Sequence, residues 1–212
     1  MHIPELSESE KHDDGFTRGE VAGFLATSDQ YGLTNALAND RCFVALKAQL
    51  ISRDGLSEQE SEMHLAWMNV NEHRFLPIFT GVPELLEWDS TARPMRADPR
   101  EVATMVLAEG ADALLVNAHL LLNRAALHSL ALGKQYLPLH QNQEFLTFLQ
   151  AQFPKSVQIT LEPAADLDGL LTLRSAEFSP PQLAALGQEL FRTIAADAFW
   201  SIQVERGLDI RV

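Results

Sequence analysis

Cysteine is almost absent from this sequence. Its 212 residues include one cysteine, Cys42, so no disulfide can form within the chain. Cys42 lies in an apolar run, where a free cysteine usually serves packing, whereas a catalytic thiolate needs a cationic and partly exposed setting. We therefore predict that Cys42 is a buried core residue.

Long apolar runs are missing as well. No stretch of the sequence approaches the length that a membrane-spanning helix requires. The first ten residues are acidic and lack the basic start and apolar centre of a signal peptide. From these two absences we expect a cytoplasmic protein that does not enter a membrane.

Positive charge is scarce. The sequence has 16 Lys and Arg residues against 29 Asp and Glu residues, which gives a formal net charge of −13. A surface of this sign repels nucleic acid and anionic membranes. It would suit a basic protein partner, although acidity by itself mostly serves solubility. The composition thus predicts no nucleic-acid partner and leaves a basic protein partner open.

The familiar motifs of enzymes and metal sites are absent too. The sequence has no His-Glu-x-x-His motif, no Gly-x-Ser-x-Gly elbow and no glycine-rich phosphate loop. Its seven histidines do not share a metal-ligand spacing, and Cys42 has no second cysteine to join it. We expect no metal, no cofactor and no enzymatic activity.

The residue patterns divide the chain into three parts. Residues 1–16 form an acidic lead that we expect to be flexible. Residues 17–138 alternate between helix and strand patterns, and residues 142–212 begin a second pattern after the polar segment Pro138–Asn142. We predict an α+β protein of two small domains, each a mixed or antiparallel sheet packed with helices.

In the first domain, two short helices are predicted within Thr17–Asn39 and a strand over Arg41–Ile51. A single strand over Glu62–Val70 should form a hairpin with a strand over Phe75–Thr80, and Thr80 should cap the helix that follows. The later predicted elements are a helix over Pro83–Trp88, an extended Arg93–Arg96, a helix from Asp98 to Gly110, a strand over Ala113–Asn117 and a helix over Arg124–Leu132.

The second domain is predicted to run helix, strand, strand, helix, strand, strand. Its last part shows period-two alternation, which predicts a C-terminal hairpin that turns at Arg206-Gly207. The exposed edge Leu208–Val212 would then offer a route to a homo-oligomer. The earlier predicted elements are a helix over Gln143–Phe153, strands over Ser156–Leu161 and Gly169–Leu173, and a helix from Ser179 to about Asp197.

The central block of the chain carries a family resemblance. Its pieces are a strand ending at Phe79-Thr80, a short helix Glu84–Trp88, an amphipathic helix Asp98–Glu109, a strand Leu114–Asn117 and a helix Arg124–Leu132. In this order they resemble the N-terminal domain of the SseB family, the enhanced serine sensitivity proteins that are often labelled type III secretion-associated. The resemblance covers Cys42–Leu132, and the layout from Gln143 onward is similar to the C-terminal domain of that family.

The resemblance implies a soluble bacterial accessory protein that acts by binding, and it supplies no catalytic residues. One departure falls after the strand-ending Asn117. The family often has Pro or Gly at that point, whereas this chain has Ala118-His119. The resemblance therefore carries over no conformation for this loop.

Five polar side chains after the strand Ala113–Asn117 form the best candidate for a ligand-binding site. Ligand sites gather at strand ends in α/β folds, and residues four apart share a helical face. A small anion or carboxylate would fit there. The alternative is that the two asparagines cap turns and helix starts while the other three are solvated. The five candidates are Asn117, His119, Asn123, Arg124 and His128.

Arg93 and Arg96 form a compact basic spot in an acidic chain. They are candidates for binding a carboxylate or an acidic segment of a partner protein. The alternative is that they neutralise nearby acids such as Glu84 and Glu101, since surface ion pairs are common and weak.

Together these patterns favour a non-enzymatic SseB-like accessory protein that acts through protein–protein interaction or regulation. The alternative is a sensor that binds a small metabolite in the Asn117–His128 region.

Overall fold

The structure, a computed structural model, describes residues 13–51 and 60–212. It divides into two compact units, Met1–Lys134 and Gln135–Val212, and the division falls just ahead of the predicted boundary segment Pro138–Asn142. Each unit combines helices with a mixed sheet, so the predicted α+β fold class is confirmed. Most of the lead predicted to be flexible, residues 1–12, lies outside the described residues.

The first unit opens with two helices, as predicted. Its described elements are, in chain order, α1 (Gly19–Thr27), α2 (Gln30–Leu37), β1 (Cys42–Ile51), β2 (Glu60–Leu65), β3 (Met68–Val70), β4 (His73–Phe79), α3 (Val82–Trp88), β5 (Arg93–Ala97), α4 (Pro99–Ala108), β6 (Ala113–Val116), β7 (Leu120–Leu122) and α5 (Arg124–Ala131).

The sheet of this unit is mixed. Its described strands follow the order β2-β1-β4-β6-β7, with β5 added to β1 and β3 added to β4. β4 and β6 run parallel, whereas the other neighbouring strands run antiparallel. Because β4 and β6 are parallel, their carboxyl ends meet at the same edge of the sheet.

Two strand predictions need correction. The stretch predicted as one strand over Glu62–Val70 is two strands, because β2 pairs with β1 and β3 pairs with β4. The chain changes neighbours at Ala66, whose N–H donates to the carbonyl O of Ala45 at 2.9 Å. The predicted hairpin is confirmed between β3 and β4. Leu120–Leu122, which the sequence analysis leaves without an element, adds β7 next to β6.

Helix starts follow local sequence signals. Asp98 accepts a hydrogen bond from the N–H of Arg100, and Pro99 holds the first position of α4, as predicted. The prediction that Thr80 caps the next helix is wrong. Gly81 is the residue before α3, and the Thr80 hydroxyl bonds to other side chains. The Thr80 side chain therefore takes part in the hydrogen bonds at the carboxyl end of β4.

The two faces of the sheet are covered differently. One face contributes side chains that the strand registers place together and that are fully buried, such as Val44, Ile78 and Val116. Helices α4 and α5 pack against β6 and against each other. On the opposite face α3 covers a smaller cluster that includes Phe43, Phe79 and Leu85. The edge where β4 and β6 end therefore lies next to α3.

The second unit has its own core. Its described elements are a 3-10 helix (Leu139–Gln141), α6 (Gln143–Gln152), β8 (Gln158–Glu162), β9 (Gly169–Arg174), α7 (Pro180–Ala196), α8 (Trp200–Gln203) and β10 (Leu208–Arg211). A capping box between Ser179 and Gln182 starts α7. Phe145 is fully buried, and its ring lies 4.9 Å from that of Trp200. This aromatic contact ties α6 to α8.

The predicted C-terminal hairpin is wrong, and with it the strand-strand ending of the second domain. Trp200–Gln203 is helical because the Asp197 carboxylate accepts hydrogen bonds from the N–H groups of Phe199 and Trp200. β10 then pairs in parallel with β9, which is the central strand between β10 and β8. The order of this unit is therefore helix, strand, strand, helix, helix, strand after its 3-10 turn.

Candidate functional site

The carboxyl ends of β4 and β6 are joined by side-chain hydrogen bonds. The N–H of Thr80 donates to Oδ1 of Asn117 at 3.0 Å, and Nδ2 of Asn117 donates to Oγ1 of Thr80 at 3.1 Å. Thr80 is 1% exposed, so these bonds form away from solvent. The pair fixes the two strand ends to each other.

A tight turn carries the chain from β6 to β7. Asn117 and Ala118 have φ values of 50° and 59°, and the N–H of His119 donates to the carbonyl O of Val116 at 3.2 Å. Positive φ at both central residues is the requirement of a type I′ hairpin turn. The left-handed conformation is unfavourable for Ala118 because its Cβ crowds the backbone. The turn therefore holds Asn117 against Thr80 despite the unfavourable backbone conformation of Ala118.

Residues Asp13–Thr17, which we call the N-terminal strap, pass over the same edge. The Thr17 hydroxyl donates to Oε1 of Glu84 at 2.8 Å and lies 2.7 Å from Oγ1 of Thr80. The carbonyl O of Gly15 accepts from the N–H of Val82 at 2.7 Å. Residues 13–16 of the strap belong to the lead predicted to be flexible, and the bond of Gly15 to Val82 corrects that prediction for the described part of the lead.

The strap is held most strongly at Arg41. This guanidinium is 4% exposed and binds Asp13 through two hydrogen bonds, Nε to Oδ2 at 2.8 Å and Nη2 to Oδ1 at 2.9 Å. Nη1 donates to the carbonyl O of Thr80 at 2.6 Å, and the group lies 4.8 Å from the centre of the Phe43 ring. The hydrogen bonds from Arg41 lower the pKa of Asp13 from 3.8 to about 2. Arg41 therefore binds the strap to the end of β4.

A cleft of about 380 Å³ opens between α3 and the β6–β7 turn, and we call it the α3 cleft. Trp88 is half-buried there, with its ring 5.3 Å from that of Phe79. The Lys47 Nζ lies 5.0 Å from the centre of the Trp88 ring and 2.7 Å from Oδ2 of Asp89. The cleft is lined by Glu84, Glu87, Trp88, Asn117 and His119.

The structure brings together two of the five predicted ligand residues. Asn117 and His119 line the α3 cleft, and Nδ1 of His119 donates to the carbonyl O of Asn117 at 2.9 Å. Asn123 instead caps α5 by accepting from the N–H of Ala126 at 2.9 Å. This bond matches the alternative reading of Asn123 as a helix cap.

The other two predicted ligand residues lie toward the opposite end of β6. β7 runs back along β6, which brings the start of α5 to the level of Ala113. Arg124 is exposed there and helps to lower the pKa of Asp112, after the N–H of Arg74 and the side chain of His73. Burial, and then the charge of Arg124, lowers the pKa of His128. About 10 Å of strand separates the two groups, since a strand rises about 3.3 Å per residue.

Arg93 and Arg96 both lie on β5 but on opposite faces of the sheet. Arg93 pairs with Leu46, whereas Arg96 pairs with Phe43 on the face that carries α3. The Nε of Arg96 is 3.5 Å from Oδ2 of Asp13. Of the two predicted anchors, Arg96 is therefore the one that faces a carboxylate among the described residues.

The residues that sequence reasoning missed are those that meet over long sequence distances. Asp13 and Arg41 are 28 residues apart, and Thr17 and Thr80 are 63 apart. One of these residues could have been identified from the sequence. Arg41 is a charged residue at the start of the apolar run that forms β1. A charge in that position is rarely buried without a partner.

The described residues offer neither a metal site nor a membrane-spanning helix. Within residues 13–51 and 60–212, no group of three or more His, Cys, Asp or Glu side chains is placed to hold a metal ion. In the same part of the chain, no helix is long and apolar enough to cross a membrane.

The architecture defines an α+β domain whose polar edge joins two parallel strands beside a short aromatic helix, followed by a smaller α+β unit. The family model of the SseB protein N-terminal domain matches residues 24–137. This match spans more than half of the 212 residues, so the chain belongs to the SseB family, and the resemblance read from the sequence is confirmed. No curated protein and no solved structure gives a significant match.

Proposed function

We propose that this SseB family protein is non-enzymatic and acts by binding a protein partner, which inserts a basic side chain into the α3 cleft. The observation that carries the proposal is the composition of this cleft, two carboxylates beside an indole ring. Carboxylates bind Lys and Arg side chains, and indole is the aromatic ring that attracts cations best.

The charge balance within the cleft favours a cation. Glu87 is exposed, and among the described residues it has no ion-pair partner. The nearby Lys47 is already neutralised by Asp89 at 2.7 Å. An incoming cation would therefore meet the uncompensated carboxylate of Glu87, and the net charge of −13 would favour its approach at low salt.

An exposed apolar side chain also lies on α3, outside the residues that line the cleft. Leu86 is 41% exposed on α3, directly before Glu87. A partner segment that places a basic residue beside an apolar one would contact both. Such mixed surfaces, with an aromatic anchor and a charged rim, are typical of protein-binding sites.

The test is affinity purification of the tagged full chain from its native cells at low salt, with Glu87→Lys and Trp88→Ala beside the wild type. The matched control is Glu72→Lys, an exposed acid in the β3–β4 turn at the far end of β4. We expect a stoichiometric partner with wild type and Glu72→Lys and its loss with the two cleft variants. A partner retained by all four chains would place binding elsewhere, and no partner with any of them would reject the binding function.

A second candidate function is a sensor for a small metabolite. The observation that favours it is the volume of the α3 cleft, about 380 Å³, which falls within the range of small-molecule sites. Asn117 and His119 would supply its polar contacts. A thermal-shift screen of the full chain against a metabolite panel tests this function. A hit that disappears in His119→Ala but persists in Arg124→Ala would assign it to the cleft, and no hit in the panel would remove it.

A further inference from the structure

The N-terminal strap occupies a site that is built for a carboxylate. Two contacts outside the strap hold the Arg41 guanidinium in place. Its Nη1 donates to the carbonyl O of Thr80 at 2.6 Å, and the group lies over the Phe43 ring. Of its other donors, Nε and Nη2 bond to Asp13 in the two-bond geometry that guanidinium and carboxylate groups favour, and Nη2 also donates to the carbonyl O of Phe16. Arg96 adds a second positive charge 3.5 Å from the same carboxylate.

The strap itself contributes little packing. Phe16, its one large apolar side chain, is 60% exposed, and Asp14 is exposed as well. Its bonds to the rest of the unit are polar: Asp13 and the carbonyl O of Phe16 to Arg41, Gly15 to Val82, and Thr17 to Glu84. Segments that are held by few buried apolar contacts open at low free-energy cost.

Release of the strap removes the carboxylate partner of Arg41. Arg41 is 4% exposed with the strap in place, and without the strap its guanidinium, still held by Phe43 and the carbonyl O of Thr80, lacks the carboxylate that it favours. When the strap leaves, a carboxylate from elsewhere is favoured at Arg41. The best-matched source is another copy of the same segment, because it reproduces every bond of the strap.

We propose that Arg41 and Arg96 form a carboxylate-binding peptide site whose ligand is the Asp13–Thr17 segment, bound in cis and exchangeable with the same segment supplied in trans. The site lies outside the α3 cleft and does not depend on the function proposed for it. The two are linked, since Thr17 donates to Glu84, which lines the cleft. Release of the strap therefore frees the Glu84 carboxylate from its Thr17 contact.

The experiment uses the full chain and a fluorescent synthetic peptide of residues 10–18, Glu-Lys-His-Asp-Asp-Gly-Phe-Thr-Arg. In the wild type the tethered strap competes at an effective concentration in the millimolar range, so peptide binding should be weak. Asp13→Ala weakens the strap and should raise peptide affinity at least about tenfold. Asp14→Ala is the matched control, because Asp14 is the adjacent exposed acid, and it should behave as the wild type.

Two further measurements assign the contact. In the Asp13→Ala chain, adding Arg96→Ala should weaken peptide binding, whereas Arg93→Ala, on the opposite face, should leave it unchanged. A peptide with Ala in place of Asp13 should not bind. Hydrogen exchange at the N–H of Val82, which bonds to Gly15, should be faster in Asp13→Ala than in Asp14→Ala.

The proposal is overturned if the Asp13→Ala chain is folded, exchanges rapidly at Val82 and still does not bind the peptide. It is equally overturned if Val82 exchange is the same in both variants, since the strap would then not depend on Asp13. Peptide binding that is indifferent to Arg96 and to the Asp in the peptide would reveal non-specific attraction and would also reject the site.

Discussion

Replacing Asp13 by alanine should destabilise the first unit by about 2 kcal/mol at neutral pH. The magnitude follows from the pKa of Asp13, which the hydrogen bonds from Arg41 lower from 3.8 to about 2. Each pKa unit corresponds to about 1.4 kcal/mol of differential stabilisation of the charged form. The side chain is 10% exposed, so solvent screening reduces this value little. The buried Arg41 that loses its partner adds to the loss.

Cys42 provides an assay that reports on the first unit alone. It is the single cysteine of the chain and is fully buried in β1. Burial raises the pKa of its thiol to about 12, so alkylation is negligible until the unit unfolds. Pulsed alkylation after equilibration in increasing urea therefore gives the unfolding curve of this unit. Asp14→Ala is the control, with an expected change within about 0.5 kcal/mol, as is usual for an exposed position.

The pH dependence gives a second test of the same reasoning. Because the pKa of Asp13 is lowered on folding, its contribution is fully present above pH 3.8 and is lost as the pH falls through about 2. The stability difference between wild type and Asp13→Ala should thus shrink between these values when unfolding is followed by tryptophan fluorescence. Two results would refute the assignment of this energy to the Asp13–Arg41 ion pair. One is an equal loss of stability in Asp13→Ala and Asp14→Ala, and the other is a stability difference between wild type and Asp13→Ala that is undiminished at pH 2.

Three further predictions concern residues outside the strap. Ala118→Gly should stabilise the first unit by about 0.5–1 kcal/mol, because the φ of 59° is unfavourable for any residue with a Cβ; a loss of stability in the alkylation assay would contradict this. Phe145→Ala should destabilise the second unit by about 3–5 kcal/mol in a urea titration and should change the fluorescence of Trp200. The control is Phe191→Ala, because Phe191 is 39% exposed, and it should change both quantities little. Native Cys42 should stay unmodified by a thiol reagent for hours, and rapid reaction without denaturant would show that β1 opens.

The elements that could be predicted are those that local chemistry determines. Asp98-Pro99 starts α4 and Ser179 starts α7, because a cap and a first-turn proline act within a few residues. The β3–β4 hairpin was also readable, since its two-residue turn joins segments that are adjacent in sequence.

The sequence analysis did not predict β7, because the turn before this strand lacks the Asn-Gly pair that usually indicates a hairpin. A type I′ turn most often carries Asn-Gly, and a glycine after Asn117 would have indicated a hairpin. Here Ala118 adopts the left-handed conformation instead. The departure noted in the sequence, Ala118-His119, thus does not abolish the turn but makes it strained. Strain of this kind is supported by surrounding contacts, here the bonds between Asn117 and Thr80.

The prediction of a C-terminal hairpin was wrong for a different reason. Trp200, Ile202 and Val204 alternate as a strand would, yet a helix of four residues is too short for periodicity to distinguish the two structures. The deciding contact is the Asp197 carboxylate on the N–H groups of Phe199 and Trp200. A cap followed by an aromatic anchor outweighed the alternating pattern.

Two of the five candidate ligand residues, Asn117 and His119, line the α3 cleft, and the residues of the family signature lie at the same edge of the sheet. Thr80 and the strand-ending Asn117, which carried the resemblance, are a buried residue and a partly buried residue at the edge of the α3 cleft. They are bonded to each other and hold the carboxyl ends of β4 and β6 together. That junction fixes the carbonyl O of Thr80, which in turn fixes Arg41. The signature therefore specifies the rigid edge beside which the α3 cleft and the strap lie. In the binding function proposed above, Glu87 and Trp88 at this edge would recognise the basic side chain of the partner.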